Sequence, residues 1–436
     1  MKLNYKRTIL IGLAFLSITA FWQFYDNEIP KILKYYFGLG ETVTGAIMAL
    51  DNILALFLLP LFGIFSDKSN FRSGKRMPFI VTGTFASVIL FLVLMLVAKP
   101  SGSLAFFIVL LLFLLIAMGT YRSPAVSLMP DLTPAPLRSS ANAIINLMGA
   151  LGGVFTLVMT MVLLKATDDP ANTNYNPLVI SIVVCMVISI VIMIFTIREK
   201  DIKKDIEAHG GLGSLGDELN AGEQDSNVAA DKLPPAVFKS LIFLLLSVAF
   251  WYMAYNAVTT AFTRYVTEVW HLEGGSYAGA LMVGTVAAVL SYIPIGKLSA
   301  KTGRKLMILI GVVMMSASYI MIALMPTYSG LINLFFAVIG IGWAAINVNS
   351  YPMVVEMSKA GDIGKYTGTY YTFSMAAQVF TPILSGFLLE HVSYRTLFPY
   401  AFVFSTLAFC TMLMVKHGDS KPEEKKNILE NFDVDT

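Results

Sequence analysis

Charge is scarce in this chain: Asp, Glu, Lys and Arg make up 14% of its 436 residues, against about a quarter in an ordinary soluble domain. Cysteine is scarcer. Cys185 and Cys410 each stand inside an apolar run, which argues against a disulfide framework or a thiolate metal site. The four histidines form no metal-spaced cluster, and neither a P-loop nor a glycine-rich dinucleotide fingerprint after a strand occurs. ATP hydrolysis, a cofactor, a metal centre and an enzymatic constellation are therefore not expected. The net charge of +3 is scattered among loops, so no nucleic-acid partner is implied.

What the chain has is apolar length. It is 56% hydrophobic, with a mean hydropathy of +0.70, and nearly uncharged runs of about 20 residues recur, each long enough to cross about 30 Å of hydrocarbon as a helix. Runs such as "LAFFIVLLLFLLIAMG" do not alternate as barrel strands must. Spans are expected to begin near Thr8, Thr42, Pro78, Ser103, Ser139 and Pro177, then near Phe238, Tyr277, Lys305, Tyr328, Lys365 and Thr396. The first has the basic head of a signal peptide but lacks a small-x-small cleavage site, and reads as a retained span. The fold expected is an all-α membrane protein with 12 transmembrane helices: a bundle over 1–197, a linker over 198–235, a second bundle over 236–418 and a tail over 419–436. The linker's polar, glycine-rich composition predicts a mobile segment without a core.

Lys and Arg concentrate on one side of this arrangement, at Lys2, Lys6, Arg7, Lys68, Arg72, Lys75, Arg76, Arg138, Lys301, Arg304, Lys305, Lys359 and Lys365. The other side holds Lys31, Lys34, Lys99, Lys165 and Arg395. The bias predicts that both termini and the linker are cytoplasmic, in the cell (inner) membrane. The loops after the second span of each half also match: Pro60 and Gly63 precede Gly74-Lys75-Arg76, as Pro294 and Gly296 precede Gly303-Arg304-Lys305. The halves read as a pseudo-repeat.

"GIFSDKSNFRSGKR", residues 63–76, resembles the loop signature of the major facilitator superfamily, a Gly with Asp four later and then Gly-basic-basic. The second copy has Ala300 near where an acid would stand. "RSPAVSLMPDLTPAPLRSSANAIINLMGALGG", residues 122–153, and "GKRMPFI" resemble the glycoside–pentoside–hexuronide and sucrose-transporter-like sugar symporters. The resemblance implies two six-helix bundles around a midplane site that alternates its access, and uptake of a di- or oligosaccharide or glycoside together with H+. A single chain is expected to suffice, in the lipid bilayer. The resemblance also implies that Asp67, Arg72, Lys75, Arg76, Arg138 and Arg304 gate the cytoplasmic face. Melibiose-type carriers hold sodium with acids just before the Pro and Gly of the second span, where this chain reads "ALFLLPLFG". Asp51 is thus the one carboxylate in that span's interior. Transport of another polar solute, export included, and a non-transporting membrane sensor with the same fold remain alternatives.

Ionisable groups inside a span are costly and point to function. Asp51 is a candidate proton carrier, or else a structural hydrogen-bond partner of Asn52 or a facing helix. Glu356 is a second coupling candidate, near the cytoplasmic gate. Arg122 reads as a bidentate grip on solute, a gate partner for Glu356, or a snorkelling anchor. Trp22, Gln23, Tyr25 and Asp26 on the first span, with Trp251, Tyr255 and Asn256 on the seventh, pair rings with polar groups as a sugar site does, although Trp and Tyr also form interfacial belts. Trp343 and Asn347 share a face of the tenth span and are assigned to solute. Polar stripes at helical spacing on the fifth span, including Asn142 and Asn146, and on the eleventh, including Tyr370 and Gln378, suggest a shared cavity or a packing seam. Arg264 and Glu268, one turn apart, read as an ion pair with each other.

Overall fold

The computed structural model describes residues 3–69, 71, 73–100, 102–133, 137–167, 169–208, 234–357 and 363–419. Arg72, residues 209–233 of the linker and residues 420–436 of the tail lie outside them. Among the described residues, twelve helices are long and apolar enough to cross a membrane: Tyr5–Tyr35, Glu41–Lys68, Met77–Val97, Leu104–Asp131, Ala141–Leu163 and Asn176–Thr196, then Pro235–Trp270, Ala278–Ser299, Arg304–Ala323, Leu331–Val354, Gly368–His391 and Tyr394–Leu413. Every start lies within a few residues of its expected place, because run length and hydropathy decide it. Local chemistry sets the ends. Asn4 accepts from the Arg7 amide at 3.1 Å to start the first span, and Pro78, Pro177 and Pro235 occupy first-turn positions where no amide hydrogen is needed.

Each half has its own apolar core. Phe21, Phe24, Phe91, Phe107 and Tyr121 fill the first; Trp251, Phe262, Tyr265, Tyr319 and Phe398 fill the second. The repeat extends to the charged loops. Gly74 (φ 127°) and Gly303 (φ 95°) turn the chain into the third span of each half in a region that L side chains avoid. Arg76 at the start of the third span pairs with Asp131 at the end of the fourth, at 2.9 Å, and Arg304 pairs correspondingly with Glu356.

A residue following the sixth span of each half then caps the third. The Glu199 carboxylate accepts the amides of Lys75 (3.0 Å), Arg76 (2.9 Å) and Met77 (3.2 Å), and Asp419 accepts that of Lys305 at 2.8 Å. Three orphan donors at a helix start are thereby satisfied by one acid, which the helix dipole also favours. Glu199 opens a helix, Glu199–Ala208, whose Lys203 reaches Asp131 at 3.4 Å. The first part of the stretch expected to be an unpacked linker is thus docked on the first half. Its composition is polar because it binds through charges, a mode that hydropathy does not register.

The docking predicts a contrast. Shortening the chain within residues 209–231 should leave solute binding and unfolding stability unchanged, whereas Glu199→Ala should cost about 1–2 kcal/mol of stability. Melting of the purified protein in detergent checks both; a stable Glu199→Ala protein, or lost binding in the shortened one, would remove this division of roles.

Candidate functional site

The second span is interrupted at Ala49, between helices Glu41–Met48 and Leu50–Lys68. Asp51 therefore sits in the first turn of a helix, where a negative charge is favoured, and its Oδ1 accepts from Asn52 Nδ2 at 2.8 Å. The structural partner that the sequence left open is present, and the backbone amides of Asp51 and Asn52 also donate to the carboxylate. The charges of Asp26 and Asp51 act on one another and both act on Arg122. The Arg122 guanidinium stands 5.6 Å from the centre of the Trp22 ring, a cation–π distance. Trp22, Gln23, Asp26, Asp51 and Arg122 are all partly exposed although they lie deep between the two faces. The Tyr25 side chain is buried beside the two acids.

The second half supplies rings. Tyr255 and Trp343 stack in parallel, 3.8 Å between centres and 4° between planes, and Tyr252 meets Trp343 edge-on at 5.2 Å. Tyr370 joins Ser350 at 3.0 Å and packs edge-on against Tyr351. Gln378 donates to the Ser374 carbonyl at 3.4 Å. Where the second and eleventh spans touch, Gly45 lies against Pro382 and Gly386 against Glu41. Counting along both helices from there brings Gln378 to within about one turn of the depth of Asp51. Among the described residues, the buried polar atoms of the first and seventh spans that lack a hydrogen-bond partner include Trp22 Nε1, the Tyr25 hydroxyl, Asn27 Oδ1 and Asn256 Nδ2. Leaving each unmet costs about 1–3 kcal/mol, which a polar solute or water offsets.

Other sequence candidates fall elsewhere. Trp251 is buried in the core of the second half, 1% exposed, while Tyr252 and Tyr255 meet Trp343. On the fifth span, Thr156 donates to the Ala20 carbonyl at 2.8 Å, which fixes its depth; Asn146, ten residues earlier, lies about 15 Å nearer the face carrying the N-terminus. Asn142 is a turn further still. Helical spacing identifies a face of a helix, not a depth. Asp67, exposed, pairs with Arg76, and Arg76 also holds Asp131 and Ser66. Arg138 donates to the Thr133 carbonyl at 3.3 Å, and Lys75 is exposed. At this terminal face the charged loops pair within their own halves.

The opposite face is where the halves meet. Arg264 does not pair with Glu268 but reaches Glu41 across the seam at 2.7 Å, both side chains about 5% exposed or less. Glu268 takes Lys34 at 2.5 Å and the Tyr35 hydroxyl at 2.7 Å, and the Tyr394 hydroxyl donates to Glu41 at 2.5 Å. Nearby, Lys31 lies over the Tyr277 ring at 4.8 Å, the Thr42 amide donates to Glu390 at 2.8 Å, and the Thr167 amide to Glu273 at 3.0 Å. Two bases and two acids thus form one cross-half network. Lys34, Tyr35, Glu41 and Tyr394 escaped the sequence reading; the trace they leave is charge placed just inside the ends of spans, where a simple anchor would have sat outside.

The family profile described as Major Facilitator Superfamily matches residues 8–350 and 244–432. Curated relatives include an uncharacterised MFS-type transporter of Mycobacterium tuberculosis, found in two strains, 28% identical over 164 residues; the match covers 37% of this chain and 23% of the relative. Among solved structures, the nucleoside transporter NupG is similar with a TM-score of 0.68 at 16% identity, over 95% of this chain and 100% of that one. A POT family transporter in complex with 5-aminolevulinic acid gives 0.68 at 13%, over 93% and 94%. A bacterial homologue of the iron transporter ferroportin in the inward-facing state gives 0.65 at 14%, over 95% and 99%. At such identities the likeness concerns the fold.

Proposed function

Since the chain belongs to the Major Facilitator Superfamily, we propose that this membrane transporter takes up a small neutral polyhydroxylated solute, a di- or oligosaccharide or glycoside, together with a proton. The observation that carries this reading is the site's division of labour: a charged wall on the first half and an aromatic wall on the second, under a face closed by the Glu41–Arg264 network. Hydroxyls suit the acids and the unmet polar atoms, and the C–H faces of a sugar ring suit Tyr255 and Trp343. Asp51 is the proposed proton carrier. The concentration of Lys and Arg on the terminal face makes that face cytoplasmic, and the carrier is then open inward.

Counterflow tests the reading. Proteoliposomes preloaded with unlabelled disaccharide should accumulate labelled disaccharide transiently with no pH gradient, and an alkaline lumen should drive net uptake into proteoliposomes that are not preloaded. A solute that raises the melting temperature by mass action yet gives no counterflow would make the protein a sensor. Counterflow of nucleosides with none of sugars would keep the transporter and replace its cargo.

A further inference from the structure

The aromatic wall of the second half is held from behind. Tyr370 on the eleventh span is 2% exposed and Ser350 on the tenth 0%, so neither side chain is open to the cavity. Their hydroxyls are joined at 3.0 Å, and Tyr370 is also hydrogen-bonded to the Tyr252 hydroxyl of the seventh span. Tyr252 is where this chain of hydroxyls reaches the wall: its ring meets Trp343 edge-on, and Trp343 lies flat on Tyr255. Tyr351 and Tyr371 pack edge-on against the Tyr370 ring at 5.6 and 5.5 Å, which fixes its orientation without using its hydroxyl. Buried hydroxyls ordinarily find partners. What sets these apart is that they tie three spans together at one point, and that the tie ends on the ring abutting the stack.

We propose that Tyr370 is a positioning residue for the solute: it touches none itself, and through Tyr252 it holds the Trp343–Tyr255 pair in the orientation that stacking on a sugar ring requires. The inference rests on the solute site argued above, and it moves Tyr370 out of the contact residues assigned from the sequence. Fixing an aromatic side chain before the solute arrives removes an ordering cost from binding. It matters most for rings, whose contribution to a sugar site depends on the angle at which they meet its C–H face. Removing the Tyr370 hydroxyl releases Tyr252 and leaves Trp343 held on one side only, by Tyr255. The packing of the Tyr370 ring against Tyr351 and Tyr371 is kept, so the change bears on the wall while the eleventh span stays in place.

Two readings test it, one of them without solute. Trp251 and Trp270 are 1% and 8% exposed, whereas Trp22 and Trp343 are partly open, so in a Trp22→Phe background the tryptophan within reach of acrylamide is Trp343. There, Tyr370→Phe should increase the quenching and shift the emission to the red. The second reading is counterflow of labelled maltose, sucrose and lactose in protein that keeps Trp22. For each of these that the parent carries, Tyr370→Phe should raise the half-saturating concentration about tenfold, the ordering cost of one or two side chains, with little change in maximal rate. Tyr252→Phe should do the same, and the double variant should be no worse than either single one, because each cuts the same link. Ser350→Ala, a smaller cut farther along the chain, should shift both readings in the same direction, while Ser350→Thr, which keeps a hydroxyl, stays near the parent. Unchanged quenching and half-saturation in Tyr370→Phe and Ser350→Ala, or additive losses in the double variant, would overturn the proposal. If Trp343→Leu and Tyr255→Leu leave half-saturation unaltered, or none of the three sugars is carried, the solute site itself is misread; that is a separate failure, and quenching still decides whether Tyr370 positions Trp343.

Discussion

Replacing Arg264 by alanine should raise the fraction of molecules open at the opposite face by about 30-fold. Removing one member of a buried ion pair strands the other, at a cost of about 3–5 kcal/mol. Glu41 is 2% exposed and would keep Lys34, at 3.6 Å, and the Tyr394 hydroxyl. The residual cost is therefore nearer about 2 kcal/mol, or about 30-fold in population. It falls on the closed arrangement alone, because an opened seam returns Glu41 to water. Glu268→Gln should have a smaller effect, since Glu268 is 32% exposed and its pair with Lys34 is partly solvated. Distances between spin labels on the outer loops of the two halves would report the shift. If Arg264→Ala left those distances as in the parent protein, the network would be ornamental to the closed state.

Asp51→Asn should abolish uphill uptake driven by a pH gradient while leaving exchange of solute across the membrane largely intact. Exchange cycles the loaded carrier without discharging a proton, whereas accumulation requires proton release on each turn. The amide is near in size to the carboxylate and keeps a partner in Asn52, so the site should survive the change. Sodium should not replace the proton gradient. Uphill uptake persisting in Asp51→Asn would pass the role to Asp26, Glu28 or Glu356, and sodium-driven accumulation by the parent protein would overturn the proton assignment.

The spans, the repeat and the presence of Asp51 and Arg122 inside spans were legible in the amino-acid order, because each depends on local composition; that Asp26, Asp51 and Arg122 act on one another was not. A run of apolar residues specifies a helix wherever its neighbours lie, and an acid such as Asp51 inside such a run stands out by its cost. The closed face was not legible. Lys34 and Tyr394 are separated by 360 residues, and nothing local to Arg264 indicates that it should prefer Glu41 to Glu268 one turn away. Depth was equally hidden: Asn146 and Thr156 share a stripe, yet a contact with the first span was needed to show how far apart they stand across the membrane. Glu199 was concealed by its surroundings, since a polar stretch after a bundle looks the same whether or not its first residue plugs a helix end.

That plug bears on how the protein is made. Glu199 is the first residue of the helix after the sixth span, and Asp419 follows the twelfth span in the same way. As the chain leaves the ribosome, the third span of each half waits with bare amides until all six helices of its bundle have been synthesised, and the acid that completes it arrives last. The first bundle can then lock before the second exists. In each half, then, the acid that completes the third span is translated after the sixth span of that half.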